Sequence, residues 1–207
     1  MLEHVPHWLG SLLHNVRAGH AKLVIVQDGI VPAGGAQLTL SSPAFADGAR
    51  LPERFTADGE GVSPPLTWTG VPAGAVALAL LVEDPDAPAP NPLVHAVVWN
   101  LPPDSAGLEE GAIAADGRGA FDGSDVGRNS YQQEGWLPPD PPTGHGSHDY
   151  VFQLFALSEA AALDVSPGRS AVLEALRGRV LAAGMLSGTY SRGEPAEIGP
   201  VGAAQPA

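Results

Sequence analysis

A chain of 207 residues that is 44% hydrophobic is long enough to bury a core of its own, and its even composition reads as one domain. The formal charge of −13 repels phosphate backbones and anionic bilayers, which argues against nucleic acid as a partner. The absence of cysteine excludes disulfides, thiolate nucleophiles and Cys-ligated zinc.

The first element is amphipathic. Leu2, Val5, Leu9, Leu12, Leu13 and Val16 recur at helical spacing between Glu3, His4, His7 and His14, which predicts a helix docked on its own domain or on a second copy of the chain, a homodimer. Its polar face lacks the basic stripe of a membrane-surface helix. No stretch has bilayer-spanning length and no leader pattern opens the chain, so there is no transmembrane segment and a cytoplasmic location is expected. A loop-like stretch from Gly19 to Gly35 follows, closing in the turn signal Pro32-Ala33-Gly34-Gly35.

From Gln37 the pattern changes to short apolar or alternating runs between Gly, Pro and Asp clusters, the signature of strands. The runs are Gln37–Leu40, Arg50–Thr56, Pro65–Trp68, Ala75–Val82, Leu93–Leu101 and His148–Leu157. Ala75–Val82 and Leu93–Asn100 are apolar almost throughout, as expected of central strands covered on both faces. Pro102 to Gly144 has no clear period; so long an irregular stretch in a compact domain is usually functional or well anchored. A helix then starts near Ser166-Pro167, with a stripe of Val172, Leu173, Leu176, Val180 and Leu181. Gly184–Tyr190 is a last strand, and a polar tail ends the chain. The expected organisation is an N-terminal helix and loop over 1–36, a mainly β domain over 37–192 and a tail over 193–207.

Three segments carry residues suited to chemistry. Asp84-Pro85-Asp86-Ala87-Pro88 directly follows the run Ala75–Val82, so its prolines must end the strand and hold two carboxylates on a stiff turn. Local physics alone allows those carboxylates merely to accept backbone N–H groups in the turn. His95 sits within an apolar strand, where its imidazole needs polar partners; the Asp residues ending the preceding strand are the nearest candidates. Finally, a proline- and glycine-rich loop, Gly135 to Ser147, leads into His148-Asp149-Tyr150. His148 and Tyr150 share one sheet face and Asp149 takes the other. His145 and His148 invite a metal reading, but a glycine-rich loop does not fix an i, i+3 pair for chelation as a helix would. Nucleophile-elbow, Walker and dinucleotide-binding motifs are lacking.

The order of these motifs resembles the phosphatidylethanolamine-binding protein family, in its bacterial Raf-kinase-inhibitor-like branch. The likeness rests on Asp84–Pro88, on His95 in a strand ending Val97-Val98-Trp99-Asn100, and on Gly146-Ser147-His148-Asp149-Tyr150. Ser63–Trp68, Asn129–Tyr131 and Tyr150–Leu157 complete the frame, and the likeness covers about Gln37 to Arg192. It implies a mainly β fold, an antiparallel Greek-key β-sandwich with a few peripheral helices. It also implies a pocket for phosphate- or carboxylate-bearing ligands, phosphoethanolamine-like ones among them, formed by Asp84, His95, His148 and Tyr150. Asp86 would support the turn and Pro142 would line the rim. Neither a metal nor another cofactor is implied. Two departures stand out: Asp149 replaces the Arg of many relatives, and Leu93 replaces a Trp that some animal members carry near the strand His. On this reading protonated His95 and His148 would donate to the anion, with affinity falling between about pH 6 and 8. Two alternatives remain open: an enzyme using the same His/Asp/Tyr pocket for acid–base chemistry, and an interaction module that inhibits a kinase or protease.

Overall fold

The computed structural model describes residues 11–13, 15–114, 125–160, 163 and 166–192. In chain order its strands are β1 (Ala36–Gln37), β2 (Thr39–Ser41), β3 (Leu66–Thr69), β4 (Ala77–Asp84), β5 (Leu93–Leu101), β6 (Gly107–Leu108), β7 (Asp125–Val126), β8 (His148–Leu157) and β9 (Val180–Tyr190); helix α1 (Arg169–Leu176) lies between the last two. A six-stranded sheet has the order β1-β9-β8-β4-β5-β7, and a three-stranded sheet the order β2-β3-β6. Neighbours run antiparallel except β1 and β9, which pair in parallel.

Strand alternation divides the apolar residues between two cores. On β4, Leu78, Leu80 and Val82 face the three-stranded sheet and pack with Leu40, Leu66, Trp68 and Leu108, as Tyr150, Phe152 and Leu154 do from β8. The intervening Ala79, Leu81 and Phe155 face the opposite way, against Val24 and against Val172 and Leu176 of α1. The large sheet is therefore covered on both faces, which is why β4 and β5 read as unbroken apolar runs. The link between β1 and β2 crosses β9 at Gly184, where any Cβ would stand 2.5 Å from the Leu38 carbonyl oxygen. Only glycine permits that approach.

Several sequence expectations are corrected. Arg50–Thr56 is not a strand: Pro52 opens a 3-10 turn at Glu53–Phe55, and only Arg50 forms an isolated bridge, with Thr189. Val180 and Leu181 belong to β9, because the helix ends at Leu176 and Gly178 follows at φ 69°. The stretch from Pro102 to Gly144 contains the short strands β6 and β7. Residues 11–13 form a helical turn and Val16 lies beyond it; the rest of the expected N-terminal helix falls outside the described residues.

Candidate functional site

β4 ends where the sequence requires it, at Asp84, and the carboxylate there serves two structures at once. Its Oδ1 accepts the amides of Asp86 (2.8 Å) and Ala87 (3.0 Å), closing the proline turn. Its Oδ2 accepts from Nδ1 of His148 at 2.7 Å. Asp86 turns away from the cavity described below. One of its oxygens accepts the Asp149 amide (2.8 Å) and the other pairs with Arg17 at 2.5 Å. Arg17 also donates to the carbonyls of His145 and Ser147, so a single guanidinium fastens the glycine loop to the proline turn.

The two imidazoles of that loop form a chain. His145 Nδ1 lies 2.7 Å from His148 Nε2, and His145 Nε2 lies 2.8 Å from the Leu13 carbonyl oxygen. A carbonyl only accepts, so His145 Nε2 carries the proton. Burial, and then the neighbouring His148, hold the His145 ring below the ordinary imidazole range. His148 Nε2 shares a hydrogen bond with His145 Nδ1, and its Nδ1 donates to the Asp84 carboxylate. The side chains of His148 and Asp84 are 2% and 4% exposed, so this proton is held away from water. The histidine pair spends its nitrogens on hydrogen bonds with each other and their neighbours, not on chelation.

His95, on β5, is held differently. Its Nδ1 donates to the Leu137 carbonyl (2.6 Å) while the Leu137 amide donates to the His95 carbonyl (2.7 Å). Burial lowers the pKa of this ring, outweighing the opposing pull of Asp84. The ring is therefore neutral, and Nε2 presents a lone pair. Tyr150 meets the ring edge-on, with centroids 5.0 Å apart, and burial raises its hydroxyl well above the ordinary phenol pKa. Among the described residues neither His95 Nε2 nor the Tyr150 hydroxyl has a hydrogen-bond partner.

These groups surround a cavity of about 360 Å³. Asp84, His95, His148 and Tyr150 line it together with Pro142, while Leu93, Leu137, Pro138 and Pro141 supply apolar walls. Of the residues expected from sequence, Asp86 alone is not among the lining. Asp149 faces the opposite side of β8, where it pairs with His20 at 3.0 Å. Sequence reading named His145 only for a metal reading, and it assigned no role in the site to Arg17, Tyr131 or Asp140. The last two line the cavity, and Asp140 is tied to Arg192. The proline loop itself signalled Asp140, whereas nothing local in the sequence points from Arg17 to a turn some seventy residues away. Outside the cavity, His20, Asp86 and Asp149 bring ligand-type atoms within 4.8 Å of one another, with the Arg17 guanidinium already on Asp86.

A β-sandwich with a small, mostly apolar cavity whose floor holds His, Asp and Tyr defines a small-molecule-binding class of protein. The model of the family described as phosphatidylethanolamine-binding protein matches residues 41–191, and the chain belongs to that family. A UPF0098 protein from Methanothermobacter thermautotrophicus is 48% identical over 158 residues, spanning 75% of this chain and 100% of the relative. A Mycobacterium tuberculosis relative, LppC, is 41% identical over 146 residues (70% of this chain, 67% of the relative) and carries the word lipoprotein in its name. Among solved structures, Escherichia coli YbcL, described as a new member of the mammalian PEBP family, superposes with a TM-score of 0.71 at 29% identity, over 75% of this chain and 99% of its own. The relatives thus span archaea and bacteria, which broadens the bacterial likeness read from the sequence. No helix among the described residues is long and apolar enough to cross a membrane.

Proposed function

We propose that the protein binds a small ligand by a phosphate- or carboxylate-type head lodged against His95 and Tyr150, with Asp84 and His148 as the buttress behind them. The observation that carries this reading is the pair of buried polar atoms without partners among the described residues, His95 Nε2 and the Tyr150 hydroxyl, on residues that line one cavity. A buried polar group left unpaired costs about 1–3 kcal/mol, and such groups in a folded protein call for an explanation in terms of function. A ligand that reaches them recovers that cost. The walls of Pro138, Pro141, Pro142 and Leu93 suit an apolar substituent next to the head. Both nitrogens of His148 are occupied, which favours a binding role for this ring over one as a general acid or base.

The test is a histidine side-chain NMR titration with O-phosphoethanolamine, inorganic phosphate and acetate, on the wild type and Tyr150→Phe. Shifts confined to His95 and its neighbours, and weakened in the variant, are expected. A spectrum unmoved by all three compounds would overturn the assignment of the cavity as a ligand site.

A further inference from the structure

The cavity has a hydrogen-bond polarity, and that polarity constrains the ligand further. Leu137 fixes the His95 tautomer: a carbonyl oxygen 2.6 Å from Nδ1 puts the ring proton there and leaves Nε2 as an acceptor. Tyr150 keeps its proton and can donate. The charged groups facing His95 are Asp84 from the end of β4, His148 from β8 and Asp140 from the proline loop. Each is committed: Asp84 to His148 and two amides, His148 to Asp84 and His145, Asp140 to Arg192. No lysine or arginine is among the described residues that line the cavity.

A fully ionised head would set one of its lone pairs against the lone pair of His95 Nε2, with no lysine or arginine on the described lining to compensate and with His148 already engaged by Asp84 and His145. We propose that the cavity selects a phosphomonoester head in its singly protonated form, whose O–H donates to His95 Nε2 while another of its oxygens accepts from the Tyr150 hydroxyl. The proposal rests on the reading of the cavity as a ligand site and narrows it. Carboxylic acids offer the same donor and acceptor but ionise well below neutral pH, whereas a phosphomonoester loses its second proton near pH 6. A phosphodiester, the linkage found in an intact phospholipid head, has no such proton at all.

Isothermal titration calorimetry of the whole chain at pH 5.5, 6.5 and 8.0 separates the possibilities. The four probes are O-phosphoethanolamine, inorganic phosphate, sulfate and glycerophosphoethanolamine. O-phosphoethanolamine should bind most tightly at pH 5.5 and weaken roughly tenfold per pH unit well above pH 6, and inorganic phosphate, which holds its second proton to a higher pH, should weaken in the same way but later. Sulfate and the phosphodiester should bind at least about tenfold more weakly than O-phosphoethanolamine at pH 5.5. If histidine protonation drove binding instead, sulfate would be drawn in alongside phosphate as the pH falls. Sulfate or the diester equalling O-phosphoethanolamine at pH 5.5, or a phosphate affinity unchanged up to pH 8.0, overturns the proton requirement and leaves the ligand site standing. Silence from all four probes at every pH removes the ligand site and the proposal with it.

Discussion

Tyr150 is where a side chain's contribution to stability and its contribution to binding separate. Its ring is buried beside His95 and stacks at 6.5 Å from His148, but its hydroxyl has no partner among the described residues. Tyr150→Phe removes a desolvated donor and leaves the packing in place. Urea unfolding of the free variant should show stability unchanged or raised by about 1 kcal/mol, while O-phosphoethanolamine affinity drops about tenfold. A loss of stability well beyond that size would mean the hydroxyl has a partner in the free protein. The site was only partly legible at this scale. Strand alternation put His148 and Tyr150 on one face and Asp149 on the other, as observed. The hydrogen-bond roles were not legible, because they depend on contacts remote in sequence: Leu137 with His95, and Leu13 with His145. Of the two histidines expected to donate to an anion, His95 is held below the ordinary imidazole range by burial, and His148 has both nitrogens engaged by Asp84 and His145.

The outer face of the large sheet carries a second buried polar group, and it shows how a segment without periodicity is held. Glu83 on β4 has no exposed surface, and its Oε1 pairs with Arg169 of α1 at 2.5 Å. Its Oε2 accepts the Val24 amide (2.9 Å) and the Gln153 side chain (2.8 Å), and Gln153 in turn accepts the Ile25 amide (2.8 Å). Two side chains of the sheet thus take up amides of a 3-10 turn. Arg169→Ala should cost about 3 kcal/mol in urea unfolding, because it leaves a buried carboxylate without its cation. Hydrogen exchange at the Val24 and Ile25 amides should quicken more than exchange across β8. Uniform quickening across the sheet would contradict a local role for the pair. The strands β4, β5 and β8 were legible because burial on both faces writes long apolar runs. The 3-10 segment was not, since its order comes from Glu83 and Gln153 on strands distant in sequence. Arg50–Thr56 misled for a related reason: the pattern suited a strand, but Pro52 removed the amide a ladder needs.

At the scale of the whole molecule, the rim of the cavity is closed by charge. Arg192, just past β9, holds Asp58 and Asp140 together, and the Tyr190 hydroxyl donates to Asp58 at 2.8 Å. Ala57, Asp140 and Pro141, flanking these contacts, line the cavity. Burial works against the Arg192 charge, but the hydrogen bonds and charges of Asp58 and Asp140 outweigh it and raise its pKa. Arg192 in turn holds the Asp58 carboxyl below its ordinary value, against the opposing effect of burial. A depressed carboxyl stabilises the fold fully above the unfolded-state pKa of about 3.9 and loses that contribution as pH falls through the lower folded value. Arg192→Gln should therefore cost about 2 kcal/mol at pH 6, less than a fully buried pair because the carboxylates keep some water. The gap between wild type and variant should narrow below about pH 4 as Asp58 takes up its proton in both proteins. His95 and His145, both held below ordinary imidazole values, add a separate loss as pH drops through about 6.5, where unfolded histidine begins to bind protons. That slope is common to both proteins and cancels in their difference. Urea midpoints measured from pH 2.5 to 7 give the comparison directly. A gap of constant size over the whole range would show that Arg192 acts through packing of its side chain and not through its charge.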